Sequence, residues 1–393
     1  MIPLNQLQPG DRASVVQLGA DSPRVLVFAG TGGVGKTTCA AAVARHAAAA
    51  GRRVAILTID PSKRLADALG VEPKGDSFSE APTGPPLTAD AEGLLHVYTL
   101  DPQRTFDRLV ERFAPDAETL ERVFENPLYR QLVTSIAGSA EYAAMERIQE
   151  LAEDERYDLV VVDTPPATHT LDFLDAPGRL AGFLESRLVA LLVQPGLSLG
   201  RFSFRLFEGA ARRVLGLLER ISGLDFLADL SELLIAIQSL TEGLYGRAQH
   251  LNELLRSDAC QFFLVTGPGT ELVRRGQRFL DDLKEAGVPI GGIIANRVRE
   301  WPGSDAEFES ALYAPEETRA ALEPELGTEA AAAALELASG YASQVMWDRE
   351  TLDPIAQRAQ QAQWSFCVLP ELPEDVHDLE GLDGIGARLV STR

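Results

Sequence analysis

Apolar positions along the 393 residues follow two different spacings. Short runs that are apolar at nearly every position, as in strands buried on both faces of a parallel sheet, lie at Val25–Ala29, Val54–Ile59, Leu95–Leu100, Leu159–Asp163, Phe262–Thr266, Gly292–Asn296 and Ser365–Leu369. Between them apolar residues recur three and four apart, which predicts helices. Thr37 to Ala50 is Ala-rich and stops at Gly51, a helix with a glycine end. Pro73 to Gly93 is rich in Pro, Gly, Ser and Thr and is expected to be a loop. From about Arg104 to Ser257 only the run at Leu159 interrupts a helical pattern, and a further Ala- and Glu-rich helical stretch, Asp305 to Gln363, precedes the last strand. Strands alternating with helices predict an α/β fold with a mostly parallel, doubly wound sheet, and the long helical region predicts an inserted helical subdomain.

Between the first long strand and its helix the chain reads Gly30, Thr31, Gly32, Gly33, Val34, Gly35, Lys36, Thr37, Thr38. This is a full phosphate-binding loop in its required strand, loop, helix context. Its glycines let backbone N–H groups curl around a phosphate, and the helix start adds partial positive charge. Lys36 is expected to reach the β- and γ-phosphates, and the Thr37 hydroxyl to hold Mg²⁺. The fold class is therefore a P-loop NTPase. Residues 23–103, 158–177 and 258–393 form the expected nucleotide domain, 104–157 and 178–257 the helical subdomain, and 1–22 an N-terminal extension. No internal repeat and no second phosphate loop is found, so one chain carries one nucleotide site.

Two carboxylates close strands on the edge where ligands bind in such sheets. Asp163 ends the run Asp158–Asp163 and is the candidate Mg²⁺-organising residue. The segment after it, Thr164 to His169, is placed to sense the γ-phosphate; His169 reads equally well as a switch residue or a hydrogen-bonded loop histidine. Asp60 ends Arg53–Asp60, and spacing alone leaves two roles open: orienting the attacking water, or capping the next helix.

Composition narrows the partners. Hydrophobic residues make up 45% of the chain, enough for a substantial core. With 36 Lys and Arg against 58 Asp and Glu, the net charge is −22, a poor match to nucleic acid. Cys39, Cys260 and Cys367 are far apart in sequence and form no Cys-x-x-Cys pair and no disulfide framework, which fits a reducing cytoplasm. No apolar run reaches the ~18–20 residues of a membrane span.

Three blocks together carry a family resemblance. Gly30–Thr38, then Thr58–Asp67 (Thr-Ile-Asp-Pro-Ser-Lys-Arg-Leu-Ala-Asp), then Asp163–Leu174 (Asp-Thr-Pro-Pro-Ala-Thr-His-Thr-Leu-Asp-Phe-Leu) resemble the ArsA family. These are the arsenical-pump ATPases and tail-anchored-protein targeting ATPases, relatives of MinD and the nitrogenase iron protein. The stretch Leu369–Leu382 also resembles bacterial members. The resemblance covers roughly Pro23 to Gly178 and Cys260 to Leu389. It implies that Asp60 orients the water and Asp163 is the second Mg²⁺ partner. It further implies that Asn296 reads adenine, that the loop from Pro370 forms the other wall of the base pocket, and that ATP is clasped in a nucleotide-gated dimer.

Two features depart from the family pattern: the three cysteines include no close pair or cluster to support an arsenite or a structural zinc site, and one loop position differs. Members usually carry Lys at the second loop position, reaching across the dimer, and this chain has Thr31. Such a cation is worth ~10³–10⁵ in rate in comparable arginine-finger systems. The departure leaves three options: a slow homodimer, a heterodimer with a Lys-bearing paralogue, or substitution by Lys63 or Arg64. The expected function is an ATPase whose dimer cycle acts on a hydrophobic protein client or a membrane-complex partner. A weakly catalytic scaffold subunit and a small-molecule kinase are the other readings, the last lacking a recognisable lid or acceptor site. The segment from Gly384 to Arg393 is too short and too weakly basic for a firm membrane anchor.

Overall fold

The computed structural model of the chain describes residues 14–19, 22–60, 62–74, 77–88, 91–130, 139–165, 233, 241–376 and 378–391. Its centre is an eight-stranded sheet. The strands are β2 (Val25–Gly30), β3 (Arg53–Thr58), β4 (Ser79–Glu80), β5 (Leu94–Thr99), β6 (Leu159–Asp163), β7 (Cys260–Thr266), β8 (Ile290–Val298) and β9 (Ser365–Pro370). They lie side by side in the order β4-β5-β3-β6-β2-β7-β8-β9. Every pairing is parallel except β4 with β5. Two further short strands, β1 (Val16–Gln17) and β10 (Val390–Ser391), pair with each other apart from this sheet.

The apolar runs fold as strands of this sheet, all but the edge strand β9 inside it, with successive side chains entering opposite layers. Val25, Val27 and Ala29 of β2 join one core with Ala55, Leu57, Val160 and Val162. Leu26 and Phe28 join the other with Val54, Ile56, Leu159 and Val161. The first layer is closed by helices α5 (Ser139–Glu153), α6 (Thr241–Arg256), α7 (Thr270–Glu285) and the inner half of α10 (Thr328–Ala362). The second is closed by α1 (Lys36–Ala49) and α11 (Leu379–Leu389). Alanines let α1 sit close: a Cβ on Gly386 of α11 would fall 2.7 Å from the Ala42 carbonyl oxygen. The two helices are also joined by Arg45, whose Nε donates to Asp383 Oδ1 at 2.6 Å. The sheet is thus covered on both faces, the doubly wound arrangement the alternating pattern predicts.

The structure departs from the sequence reading in two places. Ser79–Glu80, within the stretch expected to be a loop, forms the edge strand β4. Two residues among prolines and glycines carry no periodicity, and the pairing is made by backbone groups alone, which sequence pattern does not register. The stretch Asp305 to Gln363 is three helices rather than one run: α8 (Asp305–Tyr313), α9 (Pro315–Leu326) and α10. Pro315 starts α9 and Gly327, at φ 80°, breaks the chain before α10. Helices α2 (Arg64–Leu69), α3 (Pro102–Phe113) and α4 (Ala117–Glu125) complete the described elements. Residues 131–138, 178–232 and 234–240 of the expected helical subdomain lie outside the described residues, as do residues 166–177 of the expected nucleotide domain, His169 among them.

Candidate functional site

The strand register assembles the site. Asp163 is the partner of both Phe28 on β2 and Thr58 on β3, so the three stand abreast near the carboxyl edge. Residues in register on parallel strands point to the same face, here the α1 layer that takes Phe28. Asp163 is 1% exposed. Its Oδ2 accepts hydrogen bonds from the Thr37 hydroxyl at 2.9 Å and the Thr58 hydroxyl at 3.2 Å. Its Oδ1 is buried with no hydrogen-bond partner. Burial pushes the Asp163 carboxyl up to about 6, against the pull of the Thr37 and Thr58 donors and of Lys36.

Above this row the loop turns into α1. Gly35 sits immediately before the helix at φ 94°, and a Cβ there would lie 2.2 Å from Asn296 Nδ2, so no other residue fits without movement. No side chain caps the start of α1 and no acidic residue lies in its first turn. The N–H groups of that turn have no acceptor within the helix and remain available to an anion. Lys36 is buried and its ammonium donates to the Thr31 carbonyl oxygen at 2.9 Å. Desolvation holds its pKa below the usual lysine range, partly offset by Asp163 and Asp60. The Thr31 hydroxyl oxygen is buried without a hydrogen-bond partner. Asp60 lies just beyond β3, two residues past Thr58, where its Oδ1 accepts from the Ser62 N–H at 2.9 Å.

Beside the loop is a cavity of about 640 Å³ whose walls include Thr38, Arg64, Asn296, Arg297, Pro370 and Arg388. Asn296 reaches across from β8 and donates its amide to the Val34 carbonyl oxygen at 2.9 Å. The irregular end of β8 is marked by Arg297 at φ 59°. Lys63 is exposed at the start of α2 and does not line the cavity, whereas Arg64 does. The structure therefore brings Gly30–Thr38, Asp60, Asp163, Asn296 and Pro370 to one edge of the sheet. Cys39 and Cys367, distant in sequence, pack into the same core layer, and burial drives the Cys39 thiol far up, with Cys367 and Asp163 adding to it.

Thr58 is a site residue that the sequence reading missed. Its signal was present, a hydroxyl two residues before a strand-end Asp, but only the register shows that it points at Asp163. Arg388 was missed because it lies on α11, more than three hundred residues from the loop.

The cavity size and the donor set suit a nucleotide. A Mg²⁺ ion of this kind takes one or two protein oxygens plus waters and phosphate oxygens. A buried hydroxyl and a carboxylate with one partnerless oxygen fit that requirement.

Fold and site define a P-loop nucleotide-binding protein of the α/β class. The profile of the anion-transporting ATPase family matches residues 23–312, and the chain belongs to that family. It is similar to an arsenical pump-driving ATPase of Acidiphilium multivorum, 31% identical over 169 residues, or 42% of this chain and 27% of that protein. A Streptomyces coelicolor protein called uncharacterized is 35% identical over 166 residues, 42% of this chain and 40% of its own length. ATPase GET3B of Arabidopsis thaliana is 26% identical over 302 residues, 72% of this chain and 66% of its own length. The chain spans only between 25% and 40% of three of the relatives it matches at 31–35% identity. No helix among the described residues is long and apolar enough to cross a membrane.

Proposed function

We propose that the chain binds and hydrolyses ATP with Mg²⁺ and uses a nucleotide-gated dimer cycle to act on a protein client or a transport partner. The observation that carries this reading is the meeting of Thr37, Thr58 and a half-satisfied, buried Asp163 directly beneath the phosphate loop. Names of relatives, an arsenical pump-driving ATPase and an ATPase, point the same way.

In this reading the loop N–H groups and the open first turn of α1 hold the phosphates. Lys36 leaves the Thr31 carbonyl for the β- and γ-phosphates and keeps its charge there despite burial. Mg²⁺, held by Thr37 and Asp163, would neutralise charge on the β- and γ-oxygens. Asp60 orients a water toward the γ-phosphorus; the bond to the bridging oxygen breaks, giving ADP and inorganic phosphate. Asn296 and the loop from Pro370 hold the base. Residues 104–157 and 178–257, as a helical subdomain on the nucleotide domain, would carry the client surface.

A second reading has one observation in its favour. With Thr31 at the second loop position, its hydroxyl turned into a buried spot without a partner, this chain lacks a loop cation for a facing subunit. It would then be the weakly catalytic half of a heterodimer with a Lys-bearing paralogue. Mass measurement in ADP and in a non-hydrolysable ATP analogue tests the cycle. A dimer favoured by the ATP analogue supports it, and an unchanged monomer in both contradicts it. A rate gain on mixing with a paralogue would select the second reading.

A further inference from the structure

The strongest unused feature is the outer half of α10. This 35-residue helix packs its inner half on the sheet through Leu352, Ile355 and Ala359. Its outer half packs against α9 and, through Ala342 and Val345, against Phe308 and Ala311 of α8. The opposite side of that half presents Ala333, Leu337, Gly340, Gln344 and Trp347, each exposed and spaced alternately four and three apart. That spacing is one continuous helix stripe. Leu337 is 76% exposed and Trp347 48%. The stripe ends where Trp347 Cη2 lies 3.7 Å from the position of a Cβ on Gly269. Leu337 is thus bare and Trp347 about half-exposed along one stripe of a helix already anchored on its other side.

The charge around the stripe says what kind of surface would cover it. Residues 302–345 contain nine Asp and Glu against a single Arg, Arg319, and that Arg is paired with Glu316 at 2.8 Å. Glu329 and Glu336, both exposed, lie along one edge of the stripe. A second copy of the chain would bring the same negative field and be repelled. The small residues Ala333 and Gly340 allow another helix to approach closely, and Leu337 and Trp347 supply anchors on either side of Gly340.

We propose that the outer face of α10 docks a basic amphipathic helix of a partner protein, with the partner's apolar side on Leu337 and Trp347 and its Lys or Arg residues toward the surrounding carboxylates. The proposal is independent of the nucleotide site.

The test uses the full chain and a fluorescently labelled synthetic amphipathic helix of Leu and Lys, followed by anisotropy. A matched peptide with Glu in place of Lys is the control. The double variant Leu337→Ser, Trp347→Ser changes only exposed side chains; circular dichroism and nucleotide binding verify its fold. The Lys peptide is expected to bind the wild type, to bind the double variant roughly tenfold or more weakly, and the Glu peptide to show no binding. Undiminished binding by the double variant would mean general attraction to an acidic chain and would overturn the proposal. So would no binding of the Lys peptide at all, or a change in the mass of the free chain on making the double variant, which would assign the face to a second copy.

Discussion

Replacing Asp163 by Asn should stabilise the nucleotide-free protein while damaging its nucleotide site. Asp163 is 1% exposed, so water does little to relieve its charge. Burial pushes its carboxyl from 3.8 up to about 6. Because the folded state holds this proton more tightly than the unfolded chain, stability falls as pH rises between those two values and stays at the lower level above them. About two pH units correspond to about 3 kcal/mol lost at neutral pH. The amide of the Asp163→Asn variant could still accept from Thr37 and Thr58 through its carbonyl oxygen, but would place an N–H donor at the partnerless position. That donor costs about 1–2 kcal/mol, leaving a net gain on the order of 1–2 kcal/mol. Urea unfolding in EDTA, from pH 5 to 7.5, measures it; this window lies above the sequence pI of about 4.7. About half of the wild-type loss falls in that window, so the gap between the proteins should widen with pH by about 1–1.5 kcal/mol. Adding Mg²⁺ and ATP should reverse the order, because a ligand at a hundred times its Kd adds about 2.7 kcal/mol to the protein that binds it. A gap that is flat with pH, or an Asn variant that is less stable throughout, would refute a buried, poorly satisfied charge at this position.

Three further substitutions test the same geometry. Thr58→Val removes one of the two hydroxyls on Asp163 Oδ2, and should raise the Mg²⁺ concentration needed for half-maximal nucleotide binding about fivefold, at about 1 kcal/mol per lost hydrogen bond, with Thr58→Ser restoring it. Gly35→Ala, at φ 94° and against Asn296, should cost about 1–3 kcal/mol in urea unfolding and weaken nucleotide binding measured by calorimetry. Arg45→Ala breaks the 2.6 Å pair with Asp383 and should cost about 2 kcal/mol, less than a fully buried pair because Asp383 is 34% exposed. Its urea midpoint should fall by more than nucleotide affinity does, since Arg45 is not itself among the residues that wall the cavity.

How far the sequence carried this picture depended on which physical force marks each feature. All seven apolar runs emerged as strands: six of them inside the sheet, because burial on both faces demands apolar residues at nearly every position, and Ser365–Leu369 as the edge strand β9. Gly35 and Lys36 were legible because a phosphate loop constrains residue type at each step. The strand Ser79–Glu80 was hidden because two backbone hydrogen-bonding residues leave no side-chain pattern. Thr58 was hidden for a different reason: its contact with Asp163 is set by the register of β3 against β6, a property of two segments a hundred residues apart. Cys39 and Cys367 share a core layer for the same reason, since α1 and β9 meet only in the folded chain. The helices α8 to α10 merged into one reading because Ala and Glu continue across Pro315 and Gly327, whose breaking effect outweighs the helix propensity around them.

In the proposed cycle this edge of the sheet hydrolyses ATP through a water held by Asp60. Single-turnover hydrolysis of bound ATP, wild type beside Asp60→Asn at saturating Mg²⁺, is the sharpest check on that step. Both proteins are expected to bind ATP with comparable affinity, and the Asn variant to lose turnover by about 10²-fold or more, the scale of a general-base contribution. Equal rates in the two proteins, with ATP bound in both, would contradict it.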